Sequence, residues 1–114
     1  MSTNNLSLAL AQVDTWSALG KRVNYRASDL ALLFNLQPRT VLRVFRRELR
    51  TSPQKWLNEL RQLEIARLAH ANMPGKQIVF EVGYSQLSYF SRTFKQYYGI
   101  PFWKYKEQVT VRKR

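Results

Sequence analysis

Arginines 39, 43, 46 and 50 follow one another at intervals of four, three and four residues, the spacing that lines side chains along one stripe of an α-helix. Like charges aligned in this way repel each other, so the stripe lowers local stability unless an external anion neutralises it. The chemistry on offer is bidentate hydrogen bonding, because the planar guanidinium fork matches a phosphate or the O6 and N7 edge of guanine. Arg47 flanks the stripe. Further on, Ser85, Ser88, Arg92, Lys95 and Gln96 share the helical face opposite Phe90 and Phe94, with Gln86 and Tyr89 at its edges. Hydroxyls, amides and cations in that arrangement can address base edges as well as phosphates. A merely solvated face is the bland alternative, but solvated faces mix charges of both signs, and the first stripe is arginine throughout.

Other chemistries find little to work with. The chain has no cysteine, which removes disulfides, thiolate zinc sites and cysteine nucleophiles together. His70 is the only histidine and has no evident carboxylate partner, while Glu48, Glu59, Glu64 and Glu81 form no metal-ligand pattern. No catalytic residue, metal site or cofactor is therefore expected. Nineteen Lys and Arg against seven Asp and Glu give a formal charge of +12 and a pI near 10.6, a balance that calls for a polyanionic partner. Residues 1–20 carry only Asp14, and every base lies from Lys21 onward, so the functional surface is expected beyond residue 20. No Lys or Arg precedes the apolar run from Leu6 to Ala11, so the start does not read as a secretory signal. No segment approaches the length of a membrane span, and a cysteine-free chain suits a reducing cytoplasm.

The elements that would position these side chains are helices. Apolar residues recur at threes and fours rather than alternating, which predicts an all-α domain of about seven helices. A first helix is expected from Leu6 to Leu19, ended by Gly20. A short one follows, starting between Asn24 and Ser28 and ending near Phe34, with Asn35 at the turn. The next opens at Pro38 and runs to about Leu49, with Val41, Val44, Phe45 and Leu49 on one face. Ser52 caps a long helix from Pro53 to about Ala71, whose apolar residues Trp56, Leu57, Leu60, Leu63, Ile65, Leu68 and Ala69 cover more than one face. After Pro74 and Gly75, a short helix from Ile78 to Val82 stops at Gly83. Ser85 is expected to cap a helix that buries Phe90, Phe94 and Tyr97 and ends at Gly99. Pro101 begins the last helix, through about Glu107, and Val109 to Arg114 read as a frayed tail.

An internal repeat organises this series. Leu30, Ala31, Asn35 and Leu36 match Ile78, Val79, Gly83 and Tyr84, each 48 residues on. Past the turn the offset becomes 49, and Val41, Arg43, Phe45 and Arg46 fall on Phe90, Arg92, Phe94 and Lys95. One unit thus occurs twice, with an extra residue in the second turn. A short helix, a tight turn and an amphipathic helix with a basic outer face form a helix-turn-helix arrangement, whose second helix lies in the major groove of DNA.

The stretch Gly83-Tyr84-Ser85-Gln86-Leu87-Ser88-Tyr89-Phe90-Ser91-Arg92-Thr93-Phe94-Lys95, with Gly99 and Tyr105 after it, resembles the C-terminal signature of the AraC/XylS family of bacterial transcription regulators. Leu30-Ala31, Pro38-Arg39, Arg43, Phe45, Ser52-Pro53, Leu57, Arg61 and Ala66-Arg67 resemble its N-terminal half, and the likeness covers about Tyr25 to Lys106. It implies a single DNA-binding domain over residues 1–114, with helix-turn-helix units at 25–50 and 77–98 joined by a linker helix at 53–72. It further implies double-stranded DNA as partner, with Arg39, Thr40, Arg43, Gln86, Leu87, Ser88 and Arg92 on bases. Backbone contacts would come from Arg46, Arg47, Arg50, Tyr89, Lys95 and Gln96. One chain would suffice for binding, without a membrane, in the bacterial nucleoid, and RNA polymerase is a further implied partner. The sequence departs from the family's pattern at Gln37, Leu42 and Arg50, where a capping Ser, a small polar residue and a Gly are usual, and at Phe102, near the usual proline of the last turn.

A non-specific architectural DNA binder is the rival reading, and the aromatic-rich end from Tyr84 to Tyr105 has the i, i+4 spacing of a core rather than of a base-stacking platform. Because either kind of binder neutralises phosphates, affinity should fall steeply with salt. For about six to eight phosphates the log-log slope is expected at roughly −5 to −7. A slope near −2 in a salt titration, about what two phosphates would give, would show that the basic faces do not meet the backbone.

Overall fold

A computed structural model describes residues 3–112, and these are all-helical with no strand. The chain divides into two compact units, Met1–Arg61 and Gln62–Arg114. Among the described residues there are eight α-helices and one 3-10 turn.

In the first unit, α1 (Asn4–Ala11) is followed by the 3-10 turn Val13–Thr15 and by α2 (Trp16–Arg22). The single helix expected from Leu6 to Leu19 is therefore two. Gln12 leaves the helical region, and its carbonyl is taken by the Thr15 hydroxyl at 2.7 Å and the Thr15 amide at 2.9 Å. The Trp16 indole then donates to the Leu10 carbonyl (3.2 Å) and closes the corner. Gly20 does not end a helix but sits inside α2. A Cβ there would stand 3.1 Å from the Tyr25 ring and 3.3 Å from Leu60, so the glycine permits close packing instead.

Next come α3 (Ala27–Leu33), α4 (Pro38–Leu49) and the long α5 (Pro53–His70). The start of α3 is fixed from a distance, since the Gln54 side chain accepts from the Ala27 amide (3.0 Å) and donates to the Tyr25 carbonyl (2.9 Å). The Ser52 hydroxyl accepts from the Lys55 amide (3.2 Å), which is the N-cap expected for α5. Helices α1 and α3 both pack on α4. Leu6, Leu10, Leu30, Val41, Val44 and Phe45 are buried there. Trp56 meets Trp16 and Phe45 edge to face, at 5.3 and 5.2 Å.

The second unit contains the end of α5, then α6 (Gly75–Glu81), α7 (Leu87–Tyr98) and α8 (Phe102–Arg112). Its core is an aromatic cluster. Phe90 and Phe94 are fully buried, and Phe102 lies 5.1 Å from each. Such pairs contribute about 0.5–1.5 kcal/mol beyond the area they bury. Tyr97 was expected inside but is 51% exposed, and Tyr98 takes the inward place 4.4 Å from Phe94. Leu63 on α5, read as apolar lining, is likewise exposed. The last helix does not stop at Glu107. It continues to Arg112 because Val109 is buried; Lys113 and Arg114, also assigned to a frayed tail, lie outside the described residues. Lys106 closes the end of α5 by donating to the Ala69 carbonyl (3.4 Å) and Asn72 Oδ1 (3.2 Å), a favourable place for a cation. His70 Nε2 sits 3.1 Å from the Tyr105 hydroxyl.

The repeat in sequence is a repeat in backbone. Helices α3 and α6 are displaced by 48 residues at both ends, and α4 and α7 by 49 at both ends. Asn35 and Gly83 are both left-handed, with φ of 54° and 76°. After α3 the Asn35 amide donates to Leu32 and the Leu36 amide to Ala31; after α6 Gly83 donates to Phe80 and Tyr84 to Val79. This is one Schellman closure used twice. Gln37 and Gln86 both precede their helices in an extended conformation without a side-chain cap. Ser85, expected as the cap of α7, is instead the extra residue of the second turn. The cap position therefore falls one residue later, at Gln86.

Two outcomes follow from this geometry. A Gly83→Val chain should melt with a loss of roughly 1 kcal/mol or more, since a β-branched residue resists the left-handed region; unchanged denaturant unfolding would place the turn wrongly. The second concerns Tyr98, whose hydroxyl donates to the Gln62 carbonyl at 2.8 Å. Burial, with the neighbouring Tyr105 and Tyr97, pushes it up to about 12 from 10. The unfolded phenol ionises first, so stability held below pH 10 should decline as pH rises towards about 12. Tyr98→Phe should flatten that part of the alkaline unfolding curve.

Candidate nucleic-acid interface

Helix α4 begins at Pro38, whose fixed φ and missing N–H suit the first helical position. Burial of Val41, Val44 and Phe45 then fixes its rotation, and Arg39, Arg43, Arg46, Arg47 and Arg50 all emerge exposed, with Thr40 half-buried. Arg39, Arg43, Arg46 and Arg50 have no ion-pair partner among the described residues. Arg47 differs. Its Nε donates to Glu48 Oε1 (3.2 Å) and its Nη2 to Ser7 Oγ on α1 (3.3 Å), while the residue stays exposed beside the stripe. Arg50 ends the helix in the left-handed region at φ 55°. That conformation costs a non-glycine residue about 1–2 kcal/mol, so glycine would fit this backbone better than arginine does.

On α7 the same logic places Phe90 and Phe94 inward and Ser88, Tyr89, Arg92, Lys95 and Gln96 outward. Gln86 precedes the helix and Leu87 opens it, both exposed. Arg92 is not loose in solvent. Its guanidinium carbon stands 5.4 Å from the centroid of the Tyr89 ring, a cation–π contact across one helical turn. The second unit also has an open groove of about 760 Å³ along α7, bordered by Ser88, Arg92 and Lys95 and, from other elements, by Lys76 and Trp103. Lys76 and Trp103 carried no periodic signal; nothing in the spacing of α6 or α8 sets them beside Arg92. Both faces are cationic and polar over an apolar underside, and can form charge-assisted hydrogen bonds to phosphate oxygens.

No group of three or more His, Cys, Asp or Glu among the described residues could hold a metal ion. No described helix is long and apolar enough to cross a membrane.

Helices of this kind define a class, the helix-turn-helix proteins, and the family described as "Helix-turn-helix domain" matches residues 30–108. The chain belongs to that family in its AraC/XylS form, the DNA-binding domain of transcription regulators. No curated protein and no solved structure matches the chain.

Proposed function

We propose that the chain binds double-stranded DNA sequence-specifically, with α4 and α7 as recognition helices in adjacent major-groove segments of one duplex. The observation that supports this best is the matched pair of 12-residue helices. Arg43 and Arg92 occupy equivalent exposed positions, two residues before the buried Phe45 and Phe94. A side chain held at that depth on a groove-sized helix is placed to reach base edges, while cations above and below it address phosphates. Each chain carries both helices, so dimerisation is not required.

The units divide the work. In the first, Arg39, Thr40 and Arg43 are assigned to bases and Arg46, Arg47 and Arg50 to the backbone. That face is nearly all arginine and mainly anchors. In the second, Gln86, Leu87, Ser88 and Arg92 read bases, with Tyr89, Lys95 and Gln96 on the backbone; this mixed face can distinguish more base patterns. Residues 25–50 and 77–98 are then the two DNA-binding units, and 53–72 the linker.

The test compares Arg43→Ala, Arg46→Ala and Arg92→Ala on a duplex selected from random DNA and on its scrambled counterpart, at fixed salt. Arg46→Ala should weaken both alike. Arg92→Ala, and Arg43→Ala with it, should cost roughly 1–3 kcal/mol on the selected site and relax preference at a few base pairs. Equal losses on the two duplexes for Arg92→Ala would leave a non-specific architectural binder as the better reading.

A further inference from the structure

Tyr84 lies in the turn before α7, and its ring is anchored on several sides. Its hydroxyl receives a hydrogen bond from Nε2 of the buried Gln62 on α5 (3.3 Å) and lies 3.2 Å from Thr93 Oγ1, to which its own proton can be donated. Thr93 is itself tied to the helix through the Tyr89 and Phe90 carbonyls, at 3.0 and 3.1 Å. From below, Phe90 meets the Tyr84 ring edge to face at 5.5 Å. The ring therefore has its position set by a helix behind it, a helix beside it and the core beneath.

What rests on Tyr84 is the Tyr89 ring, 5.6 Å away, and what rests on Tyr89 is the Arg92 guanidinium. An exposed arginine otherwise samples many rotamers, and fixing one before binding removes an entropic cost from recognition. We propose that Tyr84, held by Gln62 and Thr93, is a positioning residue for base recognition. It props Tyr89 so that the Arg92 fork is presented in one orientation, and it sets selectivity at the base pair Arg92 reads without touching DNA. The inference rests on the reading of α7 as a base-reading helix. It adds a supporting shell behind the contact residue, of the kind that binding sites need to hold their geometry.

Tyr84→Phe removes the hydroxyl anchor and keeps the ring against Phe90, whereas Tyr84→Leu removes both. Each is tested in the full chain on three duplexes: the selected site, the site changed only at the base pair where Arg92→Ala loses discrimination, and a scrambled sequence. Tyr84→Leu should reduce discrimination at that base pair about threefold and Tyr84→Phe about twofold, the scale of one exposed cation–π contact. Binding to the scrambled duplex should not change. In an Arg92→Ala background neither substitution should have any further effect on discrimination. Equal losses on all three duplexes, or the same loss in the Arg92→Ala background, would overturn the proposal by showing a purely structural role. If Tyr84→Leu does not fold, Tyr84→Phe decides. Should Arg92→Ala relax the preference while both Tyr84 variants keep it, the positioning role alone fails. Should Arg92→Ala discriminate like the parent, the base-reading assignment fails and the proposal falls with it.

Discussion

A buried phenylalanine in the third turn of a helix with a polar, cationic outer face governs each half of this molecule. Phe45 and Phe94 are fully enclosed, and enclosing a side chain of that size stabilises by about 1.5–3 kcal/mol. More important, a helix pinned at one bulky residue cannot rotate about its axis. With Phe45 inward, Arg39, Arg43, Arg46 and Arg50 face outward; with Phe94 inward, Ser88, Arg92 and Lys95 do. The apolar contact decides where the charges go.

The turns complete that control by fixing where each helix begins. The same left-handed closure precedes α4 and α7, although one uses asparagine and the other glycine. Both residues tolerate positive φ, glycine for want of a Cβ and asparagine through its short polar side chain. The second turn then inserts Ser85 before its helix, so the two units share their helix lengths but differ in how the chain enters the second helix.

Much of this was legible in the sequence because it is local. Pro38, Ser52, Gly83 and Gly99 punctuate the chain through their own backbone preferences, and the 48- and 49-residue offsets need only residue identities. The structure departs from the local pattern where distant residues decide. Residues 6–19 have the composition of one helix, but the Trp16 indole reaching the Leu10 carbonyl makes a corner. Gly20 looked like a terminator and is a packing site for Tyr25. Tyr97 and Tyr98 are adjacent tyrosines, and periodicity alone did not choose between them; the Gln62 carbonyl and the Tyr105 ring do. At the interface, the outward residues followed from the period, while Lys76, Trp103 and the Tyr84–Tyr89–Arg92 stack required three-dimensional proximity.

The Gln54 side chain gives the first unit an unexpected boundary. It supplies the cap of α3 and fastens the Tyr25 carbonyl, yet it belongs to the helix that follows α4. A transplant of residues 25–50 into another scaffold would carry both helices of the pair but leave the Ala27 amide and the Tyr25 carbonyl without that partner, and α3 without the cap that fixes where it begins. The smallest portable module in this half is therefore larger than the helix-turn-helix pair at 25–50. It must include the first turns of α5, and any chimaera joined between Leu49 and Gln54 cuts through a structural unit rather than between two.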